Sequence, residues 1–66
     1  MEITVNGETR TLQEPMHVRA LLGELGIADR PCAVEVNRTV VPAKSHHDHQ
    51  LHAGDCIEIV TLVGGG

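Results

Sequence analysis

The sequence predicts an α+β domain in two layers, a mixed sheet of four or five short strands with one main helix packed on one face. Three observations predict it. Short segments with period-two alternation of apolar and polar residues recur along the chain. Only Val18 to Leu25 carries a helical period, and Gly, Asn or Pro punctuates the junctions.

Met1-Glu2-Ile3-Thr4-Val5 alternates and predicts a half-buried first strand. Asn6-Gly7 then predicts a tight hairpin, because both residues tolerate positive φ. The second strand runs from Glu8 to Leu12, with Val5 opposite Glu8, Ile3 opposite Arg10 and Met1 opposite Leu12. This pairing puts Arg10 on the apolar face, with its stem over the core and its guanidinium in water. Pro15 stops strand pairing.

Val18, Leu21, Leu22 and Leu25 fall at i, i+3, i+4 and i+7 and form the apolar stripe of a helix of two to three turns. Gly26 stands at the position of a left-handed C-cap, and His17 at the N-cap, where Ser, Thr or Asp would serve better. Cys32 to Val36 predicts a third strand with Val34 and Val36 on one face and Glu35 on the other. Asn37-Arg38 turns the chain into the short strand Thr39-Val40-Val41, which Pro42 ends. Residues 43–52 have no clean period and predict a loop with one helical turn, anchored by Leu51. Ala53-Gly54-Asp55 is a further turn, and the last strand runs from Cys56 to Val63. In it Ile57 and Ile59 share one face, Val60 and Leu62 the other. If the isoleucines meet the helix, Val60 and Leu62 form an exposed docking patch. The alternative is ordinary strand composition in a central strand.

The 66 residues make one domain near the lower size limit for a core without staples. With no Phe, Trp or Tyr, the core must be aliphatic, and 41% apolar content suffices to oppose disorder. A net charge of −4, with no basic patch and no aromatic side chain for base stacking, disfavours nucleic acid. No stretch is long enough to span a bilayer and no signal-peptide pattern opens the sequence, so a cytoplasmic protein, with no membrane partner and monomeric when free, is expected. Cys32 and Cys56 lack metal-site spacing and are expected as reduced, buried, hydrophobe-like residues, with a persulfide-carrying role as the alternative.

The parts of a self-sufficient enzyme are missing: there is no Ser/His/Asp set, P-loop or dinucleotide-binding glycine pattern. His46, His47, His49 and His52 are the one competing constellation. A helical turn would let pairs of them meet on a metal, whereas a loop would leave them solvated, and no metal site is assigned. The remaining feature is Gly64-Gly65-Gly66, which follows the last strand without a spacer. One interpretation is a frayed end. The other is a tail that enters a partner's active site: three extended residues reach about 10 Å, and glycine passes a narrow channel. The terminal carboxylate is ionised at neutral pH and needs activation before any acyl or sulfur transfer.

From end to end the chain resembles the ThiS sulfur carriers of thiamin biosynthesis, in the ubiquitin-like β-grasp superfamily. The resemblance rests on Ile3-Thr4-Val5-Asn6-Gly7, Val18-Arg19-Ala20-Leu21-Leu22, Ala33-Val34-Glu35-Val36-Asn37, Val40-Val41-Pro42, Gly54-Asp55 and Ile57-Glu58-Ile59-Val60 with the closing glycines. It departs at His17, where the family often has Thr, and in the histidine-rich loop. It implies a β-grasp domain over residues 1–63 and a flexible glycine tail over 64–66. It implies no catalytic residue and no bound cofactor. Gly66 would be adenylated by a ThiF-type adenylyltransferase using ATP and Mg²⁺ and converted to a thiocarboxylate with sulfur from a cysteine desulfurase. Thiazole synthase would receive the sulfur. Gly64 and Gly65 would thread the partner sites, and Val60 and Leu62 would dock. A sister carrier of the molybdopterin synthase small-subunit type, or a ubiquitin-like modifier, would use the same terminus.

Overall fold

The computed structural model describes residues 1–62, and its elements follow the sequence pattern closely. Strands β1 (Glu2–Val5) and β2 (Glu8–Thr11) form the hairpin, helix α1 spans Val18–Glu24, and β3 (Cys32–Val36) and β4 (Thr39–Val41) form a second hairpin. A 3₁₀ turn at Ala43–Ser45 precedes β5 (Cys56–Thr61). The sheet has five strands in the order β2-β1-β5-β3-β4. The last strand therefore inserts between the two hairpins, parallel to β1 and antiparallel to β3. With α1 as the one α-helix of the described residues, this is the β-grasp arrangement of an α+β domain.

Burial explains the topology. Ile3 and Val5 of β1, Val34 and Val36 of β3, Val41 of β4 and Ile57 and Ile59 of β5 pack with Val18, Leu21 and Leu22 of α1. Both faces of the hairpin register are as expected: Ile3 lies opposite Arg10 and Val5 opposite Glu8. Arg10 is exposed, and it lines a cleft on the helix side with Val5, Leu25, Ile27 and Ile59. Asn6 (φ +50), Asn37 (φ +52) and Arg38 (φ +69) take the left-handed conformations that two-residue hairpins require.

The helix is held at both ends. At the C-terminus the Gly26 N–H donates to the Gly23 carbonyl and the Ile27 N–H to the Leu22 carbonyl, with Gly26 at φ +75. This is a Schellman closure, and Ile27 packs on the core below it. At the N-terminus, His17 caps the helix despite its poor intrinsic preference, its Nδ1 accepting from the Ala20 N–H at 3.1 Å. Two more of the otherwise unpaired amides, Val18 and Arg19, donate to the carbonyls of His49 and His46.

Two expectations are corrected. The last strand ends at Thr61 rather than Val63, because its partner β3 begins at Cys32 and is preceded by Pro31, which has no N–H to extend the ladder. A single bond continues past it, from the Leu62 N–H to the Pro31 carbonyl at 2.9 Å. The cysteines are not a buried pair: Cys56 is exposed and Cys32 half-buried, both as free thiols. With Ile57 and Ile59 facing the helix, the strand alternation leaves Cys56 on the opposite face. No helix among the described residues is long and apolar enough to cross a membrane.

Candidate functional site: the open sheet face and the C-terminal approach

β5 is the central strand and leads directly to the C-terminal residues. Its inward isoleucines leave Cys56, Glu58 and Val60 on the face that α1 does not cover. There Val60 retains 60% of its accessible surface. Leu62, 52% exposed, departs from the expectation that it shares this face: it lines a cleft on the helix side with Arg19, Leu22, Cys32 and His46, because the strand alternation ends with the ladder at Thr61. The structure thus brings both predicted docking residues to solvent at the approach to the tail. Gly64, Gly65 and Gly66, with Val63, lie outside the described residues.

The register extends this surface beyond what alternation in β5 alone reveals. Glu58 lies opposite Glu35, which lies opposite Val40; one row further toward the C-terminus, Val60 lies opposite Ala33. Val40 is 64% exposed, the most open of the large aliphatic side chains among the described residues. Sequence reasoning missed it, although a signal existed: in the three-residue strand Thr39–Val41 one of two adjacent valines must turn outward, and Val41 is in the core.

Two asparagines pin β5 in place. On the β3 side, the bonds at Asn37–Cys56 and Leu62–Pro31 set the alternation of the ladder, which leaves Val34–Ile59 a non-hydrogen-bonded pair. The N–H and C=O of Ile59 therefore point toward β1, which has already ended at Val5. The Asn6 side chain fills the gap like a missing peptide unit: its Oδ1 accepts from the Ile59 N–H at 2.8 Å and its Nδ2 donates to the Ile59 carbonyl at 3.1 Å. Asn37 acts similarly at the start of the strand, its Oδ1 accepting from the Cys56 N–H at 2.9 Å and its Nδ2 donating to Asp55 Oδ1 at 3.0 Å. Asp55, largely buried, closes the turn with its Oδ2 accepting from the His52 N–H at 2.8 Å.

The histidines divide into different environments. His46 is buried, with Nε2 at 3.0 Å from the Val41 carbonyl; since a carbonyl only accepts, Nε2 carries the hydrogen. His49 is half-buried, whereas His47 and His52 are exposed. Among the described residues no group of three or more His, Cys, Asp or Glu side chains gathers as a metal-binding set. The loop's clearest structural contribution is through its main chain, which supplies the carbonyls that cap α1.

Comparison with known proteins agrees with this arrangement. The sequence profile of the ThiS family matches residues 3–66. The crystal structure of the thiamine biosynthesis protein ThiS from Geobacter metallireducens superposes over 100% of both chains, with a TM-score of 0.83 and 31% identity. The chain is 46% identical over 66 residues to a thiazole synthase of Paramagnetospirillum magneticum, matching 100% of this chain but spanning only 20% of that protein. It is also 35% identical to the uncharacterized protein ycf40 of Porphyra purpurea, across 93% of that sequence.

Proposed function

The chain belongs to the ThiS family, and on that premise we propose that it is a sulfur carrier for thiamin thiazole biosynthesis, a protein co-substrate rather than a catalyst. The observation that carries this is the reach of the family match through residue 66, so that Gly64-Gly65-Gly66 falls inside the shared region. The Gly66 carboxylate is the chemical site, and Gly64 and Gly65 give it a slim approach to a partner's active site.

An ionised carboxylate is a poor electrophile. On a ThiF-type adenylyltransferase, a carboxylate oxygen of Gly66 attacks the α-phosphorus of ATP and pyrophosphate leaves, with Mg²⁺ neutralising the phosphates. The terminal sulfur of a persulfide, supplied by a cysteine desulfurase, then attacks the acyl carbon and displaces AMP. A second thiol cleaves the sulfur–sulfur bond, leaving a thiocarboxylate on Gly66. Thiazole synthase takes this sulfur. The Paramagnetospirillum magneticum protein supports that acceptor, because one fifth of a thiazole synthase chain matches this whole sequence.

The domain's part is to be recognised and to aim the tail. Val60 and Leu62 are half-exposed or more, and burying their remaining surface under a partner contributes about 1 kcal/mol each at the usual rate for aliphatic side chains. Intact-protein mass spectrometry after incubation with the adenylyltransferase, ATP, Mg²⁺ and a persulfide source tests the proposal. The expected product has one sulfur in place of one oxygen, and deleting Gly66 abolishes it without disturbing the fold. Sulfur transfer that survives the deletion refutes the assignment of Gly66. Isopeptide adducts in place of the thiocarboxylate identify a modifier instead.

A further inference from the structure

Glu35 and Glu58 stand directly opposite one another on β3 and β5, both exposed on the open face. The ladder alternation set by Asn37–Cys56 and Pro31–Leu62 makes them a hydrogen-bonded pair, with Cα atoms about 5.5 Å apart. Like charges in this position destabilise a sheet. No basic residue stands directly opposite either of them: the cross-strand neighbour of Glu35 on its other side is Val40, and two residues along β3 and β5 lie Ala33, Asn37, Cys56 and Val60. The nearest basic position is Arg38, diagonal to Glu35 two residues before Val40. Of the five basic residues, Arg10 pairs with Ile3 on the helix-side face and Arg19 lies on α1. Arg30 precedes β3, Lys44 sits in the 3₁₀ turn and Arg38 is held in the β3–β4 turn.

We propose that this open face docks a protein partner that seats a lysine or arginine against the Glu35–Glu58 pair, with aliphatic side chains covering Val40 and Val60. The inference rests on the carrier function and specifies the partner surface it requires. Charge complementarity chooses the occupant. One cation placed between two carboxylates removes their repulsion and gains charge-assisted hydrogen bonds with both. The two exposed valines, Val40 at 64% and Val60 at 60%, border the pair, and covering them excludes water from it, which strengthens the attraction. A second copy of the chain is the wrong occupant. A two-fold contact through this patch would gather the glutamates of both copies, on molecules that each carry a net charge of −4. The arrangement accepts a small instability in the free domain and converts it into an oriented, salt-sensitive encounter beside the tail.

Glu35→Gln, Glu58→Gln and the double variant test this, because glutamine keeps the shape and removes the charge. Thermal melting of the free chain, affinity for the adenylyltransferase at low and high salt, and the mass in solution are measured for each. The double variant is expected to melt a few degrees higher, about 2–5 °C, as the repulsion is lifted. It is also expected to bind about tenfold or more weakly at low salt and to lose most of its salt dependence. Wild-type binding and adenylation with an undiminished double variant overturns this inference alone. A wild-type dimer that the double variant loses also overturns it, since the occupant is then a second copy. A wild-type chain that the enzyme never adenylates overturns the carrier function itself, and this inference with it.

Discussion

Asn6 carries a prediction that joins a turn residue to the strand presenting the tail. Replacing it by glycine preserves the left-handed backbone at φ +50 while deleting both side-chain bonds to Ile59, at 2.8 and 3.1 Å. Each lost bond costs about 1 kcal/mol, and glycine adds about 0.5–1 kcal/mol of unfolded-state entropy. The sum is about 2–3 kcal/mol. A domain of this size has a total stability of only about 3–10 kcal/mol. At about 4–8 °C per kcal/mol the melting temperature should fall by about 10–20 °C. Asn6→Ala should lose more, about 3–4 kcal/mol in all, because alanine avoids glycine's entropy term but resists the left-handed conformation by about 1–2 kcal/mol. Thermal melts by circular dichroism read the loss. Amide hydrogen exchange locates it: the Ile59 N–H should lose protection first, since Asn6 is its acceptor. An Asn6→Gly variant that melts within about 3 °C of wild type, with Ile59 still protected, refutes the idea that this side chain substitutes for a strand residue.

Two further substitutions test the approach to the tail and the helix. Leu62→Asp should change stability by no more than about 0.5 kcal/mol, because Leu62 is more than half exposed, yet it should weaken adenylyltransferase binding; unfolding of the domain would show Leu62 to belong to the core instead. Gly23→Ala should stabilise by about 0.5–1 kcal/mol, since Gly23 is helical and a Cβ there meets nothing within 4 Å; a lower melting temperature contradicts the open space at that position.

Much of the fold was legible in the sequence because its signals are local. The Asn6-Gly7 hairpin, the Val18 to Leu25 stripe, the Gly26 cap and the alternation of β5 each depend on a residue and its near neighbours. Backbone preference and side-chain periodicity are set at that range. The same alternation separates Ile57 and Ile59 from Val60, and so placed one predicted docking residue on the open face. It also implied that Cys56 faces outward, but the expectation of a buried thiol followed residue type rather than strand phase.

What the sequence alone determined is the set of elements, the aliphatic core and the closing glycines on which the proposed chemistry rests. Tertiary structure decided which strands became neighbours. Only the insertion of β5 between β1 and β3 brings Glu58 opposite Glu35, turns the Ile59 amide toward Asn6 and ends the strand at Thr61 where Pro31 has no N–H to offer. Tertiary structure also gave the histidine loop its clearest contribution, through the His46 and His49 carbonyls that cap a helix begun at Val18, far earlier in the chain. Backbone carbonyls are common to every residue, so no sequence pattern announces that use; hydrogen-bonding demand at the helix end selects it only once the chain has folded.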